Sequence, residues 1–138
     1  MKPIKDKIFL DSNVIIYSFG AEYDKKIIAN DLMKENPAIS VQVLNEISNV
    51  LYKKLNIKVS EIKRAIEFLS RICVVKNVTS KTIQSALDIV DHYGFSYYDS
   101  LIISSALESK CTILYSEDMS DGQVIDKKLR VVNPFKNK

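Results

Sequence analysis

The sequence predicts an α/β fold, a parallel sheet of about five strands covered by helices, as a single domain over residues 1–138. Three observations predict it. Short apolar runs alternate with longer segments of helical period, the pattern of strands joined by crossover helices. A chain of 138 residues, 46% apolar and 27% charged, suits one compact domain able to bury about two thirds of its unfolded surface. Finally, the sequence contains no internal repeat, low-complexity tract or linker that would divide it.

The strands are expected at Ile8 to Leu10, Ala38 to Ile39, Cys73 to Val75, Thr112 to Tyr115 and Arg130 to Val132, each a short apolar run. A first helix is expected from Val14. A second runs from about Ser40 to Leu55 and buries Val43, Leu44, Ile47, Val50 and Leu51. Ile62, Ala65, Ile66 and Leu69 mark a third, with Ser60 available to cap it, and Ile83, Ala86, Leu87 and Val90 mark a fourth. The stretch Ser96 to Lys110 is the last, and the Lys136 to Lys138 tail is expected to fray.

Charge and cysteines exclude several classes. The net charge of +3 does not by itself announce nucleic acid, although setting aside a cluster of acids would leave a basic remainder. Cys73 and Cys111 lie in or beside apolar runs without a Cys-x-x-Cys pair, and are read as buried free thiols. The first twenty residues start basic, but Asp11, Ser12 and Asn13 break the apolar stretch, so neither a secretory signal nor a membrane span is expected and the cytoplasm is the expected location. The three glycines, Gly20, Gly94 and Gly122, allow neither a P-loop nor a dinucleotide fingerprint.

Four acids stand in costly places. Asp99 is the clearest, because the helical neighbours three, four and seven positions on are Ile102, Ile103 and Ala106, so a carboxylate sits on a core stripe. Burying an unpaired charge costs several kcal/mol, and no Lys or Arg on that face is placed to pair it. Asp11 follows the first strand and Asp118 the fourth, which puts both at the carboxyl edge of a parallel sheet, where ligand crevices form. Glu46 lies about one and a half turns into the helix after the second strand, at the rim of its apolar arc. Spacings of 35, 53 and 19 residues mean that any shared site is assembled by tertiary structure. Each acid also has a plainer role: Asp11 caps a helix or starts a turn, Glu46 is a solvated helix residue, Ser96-x-x-Asp99 is a capping box, and Asp118 and Asp121 belong to an acidic turn.

The segments Phe9-Leu10-Asp11-Ser12-Asn13-Val14-Ile15-Ile16-Tyr17, Ser40-Val41-Gln42-Val43-Leu44-Asn45-Glu46-Ile47, Tyr98-Asp99-Ser100-Leu101-Ile102-Ile103-Ser104-Ser105-Ala106 and Leu114-Tyr115-Ser116-Glu117-Asp118 resemble the successive acidic motifs of PIN-domain nucleases. The resemblance covers essentially the whole chain and is greatest to the small bacterial branch that includes the VapC toxins. It implies a three-layer α/β/α fold and a ribonuclease using one or two Mg2+ or Mn2+ ions. Carried over residue by residue, it makes Asp11, Glu46, Asp99 and Asp118 both metal ligands and catalytic residues, with Asn13 shaping the first turn and Ser116 ordering the cluster. Asp121 is a subsidiary candidate for a second ion if the chain turns back there, and Glu117 is expected to point away from Asp118. The resemblance further implies RNA as substrate, an antitoxin partner and a homodimer, with no membrane.

Such a donor set suits phosphodiester hydrolysis, because hard oxygen ligands select Mg2+ or Mn2+. Crowded carboxylates repel one another and an anionic backbone unless cations intervene. The single histidine, His92, ends a helix before Gly94, where a contact with the C-terminal dipole is the simpler role. Lys53, Lys54, Lys58, Lys63 and Arg64 are either a phosphate-tracking rim or ordinary solvated charge, and Tyr17, Phe19, Tyr97 and Tyr98 either stack bases or pack the core or an interface. A haloacid-dehalogenase phosphatase needs a second aspartate where Asn13 stands, and a receiver domain needs an acid after the third strand, where Cys73 to Asn77 has none. The remaining rival is a non-catalytic RNA- or protein-binding module of the same fold.

Overall fold

Ile8, Phe9 and Leu10 are apolar on both faces of a strand, which is tolerable only in the middle of a sheet covered on both sides. The computed structural model, which describes residues 6–136, places them there as β1 (Ile8–Leu10). The other strands are β2 (Ala38–Ser40), β3 (Val74–Lys76), β4 (Ile113–Tyr115), β5 (Val124–Ile125) and β6 (Leu129–Val132). They form one six-stranded sheet in the order β3-β2-β1-β4-β6-β5. All neighbours are parallel except β5, which runs antiparallel to β6 at the edge. Ile8 registers with Ile113, and Leu10 with Tyr115, so the carboxyl ends of β1 and β4 lie side by side.

The five expected strands are all present, with ends moved by a residue or so. Cys73 is the C-terminal cap of a helix rather than the first residue of β3. The small hairpin strand β5 was not anticipated: it is two residues long, and its turn puts Asp126 and Lys127 at φ of 52° and 58°, where a sequence reading looks for glycine or asparagine.

Helices flank the sheet: α1 (Ser12–Ile16) followed by a one-turn 3-10 helix at Tyr17–Phe19, then α2 (Tyr23–Met33), α3 (Val41–Lys53), α4 (Val59–Ile72), α5 (Ser80–Tyr93) and α6 (Tyr97–Glu108). Their starts follow capping chemistry. The Ser40 hydroxyl accepts from the Val43 N–H at α3, and Thr79 and Thr82 cap each other reciprocally at α5, which ends at Gly94 with φ 78°. Ser60, expected to cap α4, lies inside it; Lys58 holds the cap position and has no side-chain capping bond.

The α5 face also differs from expectation. Thr82, Ala86 and Ile89 are buried, whereas Ile83 and Leu87 are exposed. The Thr82 hydroxyl donates to Glu108 Oε1 at 2.6 Å, which makes its burial tolerable and rotates the helix by about one residue from the purely apolar stripe. In α6 every residue from Ser100 to Ala106 is buried, so this helix runs through the core. Each fully enclosed Ile or Leu there contributes about 1.5–3 kcal/mol of transfer free energy. Cys73 and Cys111 are buried free thiols, each pushed up to about 11 by burial. Among the described residues no helix is long and apolar enough to cross a membrane. Of the tail expected to fray, Asn137 and Lys138 lie outside the described residues.

Candidate metal centre

Asp11 is the hinge of the site. Its N–H still bonds the Tyr115 carbonyl at 3.0 Å, continuing the sheet, while its side chain caps α1 by accepting from the Ser12 N–H at 2.7 Å. The other carboxylate oxygen accepts from the Ser116 hydroxyl at 2.9 Å, and the residue is only 5% exposed. Burial pushes Asp11 up to about 7, against the lowering effect of the Ser116 and Ser12 bonds and with the Glu46 and Asp99 charges adding to the rise.

Glu46 is carried in by the second turn of α3. It is half-buried, and its Oε1 accepts from the Ser12 hydroxyl at 2.8 Å. Ser12 therefore ties together two acids remote in sequence, through its amide to Asp11 and through its hydroxyl to Glu46, 34 residues on from the serine. The sequence reading gave this serine no role of its own. Asp99 sits in the first turn of α6, where its N–H bonds the Ser96 hydroxyl at 3.2 Å and its half-buried side chain stands above buried Ile102, Ile103 and Ala106. Burial pushes its carboxyl up, the Ser96 bond works against that, and the Asp118 charge adds to it.

Asp118 lies on the exposed loop after β4 and accepts from Asn13 Nδ2 at 3.1 Å. The same amide nitrogen is 3.4 Å from both Asp11 Oδ2 and Ser116 Oγ, so Asn13 links the first and last acids. Ser116 is fully buried, and its hydroxyl and the Asn13 amide both bond carboxylates of this group.

The structure brings Asp11, Glu46, Asp99 and Asp118 into one electrostatic neighbourhood and leaves Asp121 out of it. Asp121 Oδ1 accepts from the Asn133 N–H at 2.8 Å and Oδ2 lies 3.5 Å from Lys136 Nζ, and the Asn133 bond leads in holding its carboxyl below the usual range. Glu117 points away from Asp118, as expected, toward Tyr17 and Lys25. His92 packs its ring edge against Tyr93 at 4.5 Å and lines a groove with Asp88, Glu108 and Asp126 that includes none of the four acids. Tyr17 packs on Phe135, Tyr97 against Tyr98, and Lys53, Lys54, Lys58, Lys63 and Arg64 are all exposed.

Among the described residues none of the four acids forms an ion pair with Lys or Arg. Nor, among those residues, are three acidic, histidine or cysteine side chains grouped closely enough to hold an ion as they stand. Neutral donors from Ser12, Asn13 and Ser116 hold the carboxylates instead. The donor set is all hard oxygen, and a buried aspartate with acidic neighbours and no cation of its own fits a divalent ion of the Mg2+ or Mn2+ kind.

A family model described as PIN domain matches residues 8–120. Among solved structures, a toxin-antitoxin complex from Klebsiella pneumoniae is similar with a TM-score of 0.72 at 18% identity, covering 94% of this chain and 98% of that one. VapC20 of Mycobacterium tuberculosis, described as a sarcin-ricin loop cleaving toxin, is similar with a TM-score of 0.67 at 19% identity over 81% of this chain and 90% of that one. VapBC2 of Rickettsia felis, seen bound to a DNA fragment of its promoter, gives 0.65 at 18% identity over 90% and 96%. At such identities the likeness is one of fold. No curated protein matches the sequence.

Proposed function

Because the chain belongs to the PIN-domain family, we propose that it is a metal-dependent endoribonuclease, the toxin of a toxin-antitoxin pair, acting on RNA phosphodiester bonds in the cytoplasm with Mg2+ or Mn2+. The observation that carries this reading is Asp11: buried, pushed up to about 7, flanked by Glu46 and Asp99, and lacking any ion pair among the described residues.

Asp11, Glu46, Asp99 and Asp118 are the residues that would hold the ion or ions. A bound divalent cation supplies an activated water and neutralises charge on the phosphate and the leaving oxygen. The chain's own part is to hold these acids and aim them. Ser12 orients Asp11 and Glu46 together, Ser116 fixes the second oxygen of Asp11, and Asn13 holds Asp118 toward the same edge. The buried helix α6 gives Asp99 a rigid base. An antitoxin partner and a homodimer belong to the same proposal, and the VapBC and toxin-antitoxin neighbours support the former.

The test is cleavage of a mixed RNA pool by the purified chain with Mn2+, with EDTA, and with Asp99→Asn in place of the wild type. Cleavage that needs metal and is lost in the variant is the expected result. No cleavage under any condition, with calorimetry also showing no Mn2+ binding, would leave a non-catalytic binding module of the same fold as the better account.

A further inference from the structure

Asp118 is the most exposed of the four acids. The last sheet bond before it is from the Ser116 N–H to the Val132 carbonyl at 3.0 Å, after which the chain enters a loop where Asp118 is exposed. One residue earlier, Glu117 is gripped. Its Oε1 accepts from the Tyr17 hydroxyl at 2.6 Å and its Oε2 from Lys25 Nζ at 2.7 Å, while Lys25 also donates to the Tyr17 hydroxyl at 3.0 Å. Lys25 lies 4.5 Å from the centre of the Tyr17 ring and 5.3 Å from that of Phe135, and the two rings meet edge-on at 4.9 Å. The rings cover part of this ammonium and the paired side chains are 31% and 24% exposed, so the contact is more enclosed than a free surface pair. Two consecutive elements, the 3-10 turn after α1 and helix α2, here meet the loop after β4, which lies 100 residues beyond Tyr17 and 92 beyond Lys25.

We propose that Lys25, Tyr17 and Glu117 form a brace that positions Asp118 as a metal ligand; the proposal rests on the metal-dependent reading above. Glu117 and Asp118 are consecutive, and their side chains leave the loop in different directions. Fixing one fixes the rotation of the segment and hence the other. Asn13 completes the linkage, since its Oδ1 accepts from the Glu117 N–H at 3.2 Å while its Nδ2 donates to Asp118 at 3.1 Å. One planar amide therefore translates the place of Glu117 into the place of the Asp118 carboxylate. Lys25 and Tyr17 are positioning residues, and neither bonds any of the four acids directly.

The sign of one substitution separates positioning from the simple electric field. Removing a positive charge near an anionic cup should tighten cation binding if only the field mattered. The brace predicts the opposite. In calorimetric titration with Mn2+, Lys25→Met is expected to bind about tenfold more weakly than wild type, the loss typical of an outer partner of a metal ligand. A charge-reversed double variant, Lys25→Glu with Glu117→Lys, is expected to recover most of that loss. Without metal, hydrogen exchange across residues 116–118 should speed up in Lys25→Met, because the released segment no longer keeps the Glu117 amide against Asn13 Oδ1. Tyr17→Phe removes only the hydroxyl and serves, with the same readouts and smaller changes, where Lys25→Met does not fold.

Equal or tighter Mn2+ binding by the variant, or unchanged exchange at residues 116–118, overturns the brace. Should the wild type itself bind no Mn2+, the nuclease reading fails, and exchange alone then decides: faster exchange upholds the brace and unchanged exchange removes it.

Discussion

Asp11 and Glu117 sit at the carboxyl ends of adjacent strands and meet opposite fates. For Glu117, burial pushes its carboxyl up, but the bonds from Lys25 and Tyr17 outweigh it and leave it below the usual range. Among the described residues Asp11 receives only neutral donors, and it faces Glu46 and Asp99 and rises to about 7. One acid is completed by a lysine and a tyrosine of its own chain, while the other is the one that the proposed reading assigns to a cation. Burial of a carboxylate is therefore not the signature of a metal site; burial without a basic partner, among other acids, is the more discriminating pattern.

The contrast breaks most visibly in activity. Asp11→Asn and Asp99→Asn should each lower Mn2+-supported RNA cleavage by more than about 100-fold, beyond the loss expected from an outer partner, whereas Glu117→Gln should retain measurable cleavage in the same assay.

The next effect is on stability, and its sign follows from proton binding. Asp11 binds its proton more tightly folded than unfolded, so between its ordinary value of 3.8 and about 7 the folded state holds the extra proton. Its contribution favours folding at low pH and is lost as pH rises through 7, by roughly 4 kcal/mol at most. Metal-free Asp11→Asn should therefore melt higher than wild type at pH 8 and show a flatter pH profile. Mn2+ at about 100-fold excess over Kd should close most of that gap at pH 8, since it adds about 2.7 kcal/mol to the form that binds.

Ser12→Ala takes away the hydroxyl that holds Glu46 while leaving the amide bond to Asp11 in place. A stability loss of about 1 kcal/mol and about tenfold weaker Mn2+ binding are expected, read by chemical denaturation and calorimetry. The smallest effect belongs to Asp121→Asn. Because that carboxylate serves Asn133 and Lys136 at the surface, Mn2+ affinity should stay within about twofold, and stability should fall only slightly.

The sequence exposed the acids that interrupt an apolar pattern. Asp99 stands out against Ile102, Ile103 and Ala106, and Asp11 against Ile8 to Leu10, because a charge among core residues is a local conflict visible without coordinates. What stayed hidden depends on partners remote in sequence. The orientation of Asp121 is set by an amide 12 residues later, and that of Glu117 by a lysine 92 residues earlier. The α5 face was misjudged for the same reason: Thr82 looks polar until Glu108, 26 residues on, accepts its proton. Helix α2 gave little signal because its buried residues, Ala29, Leu32 and Met33, gather in its last turns instead of repeating along its length. Strand β5 is too short to carry any period at all.

The two thiols give the molecule an internal clock for its own opening. Cys73 closes α4 just before the edge strand β3, and Cys111 precedes the interior strand β4. Both are buried and pushed up to about 11, so an alkylating reagent at neutral pH has almost no thiolate to attack until the surrounding structure lifts away. Labelling of Cys73 ahead of Cys111 would time the release of the sheet margin separately from the loss of its centre; simultaneous labelling would mean that both strands come apart in a single event.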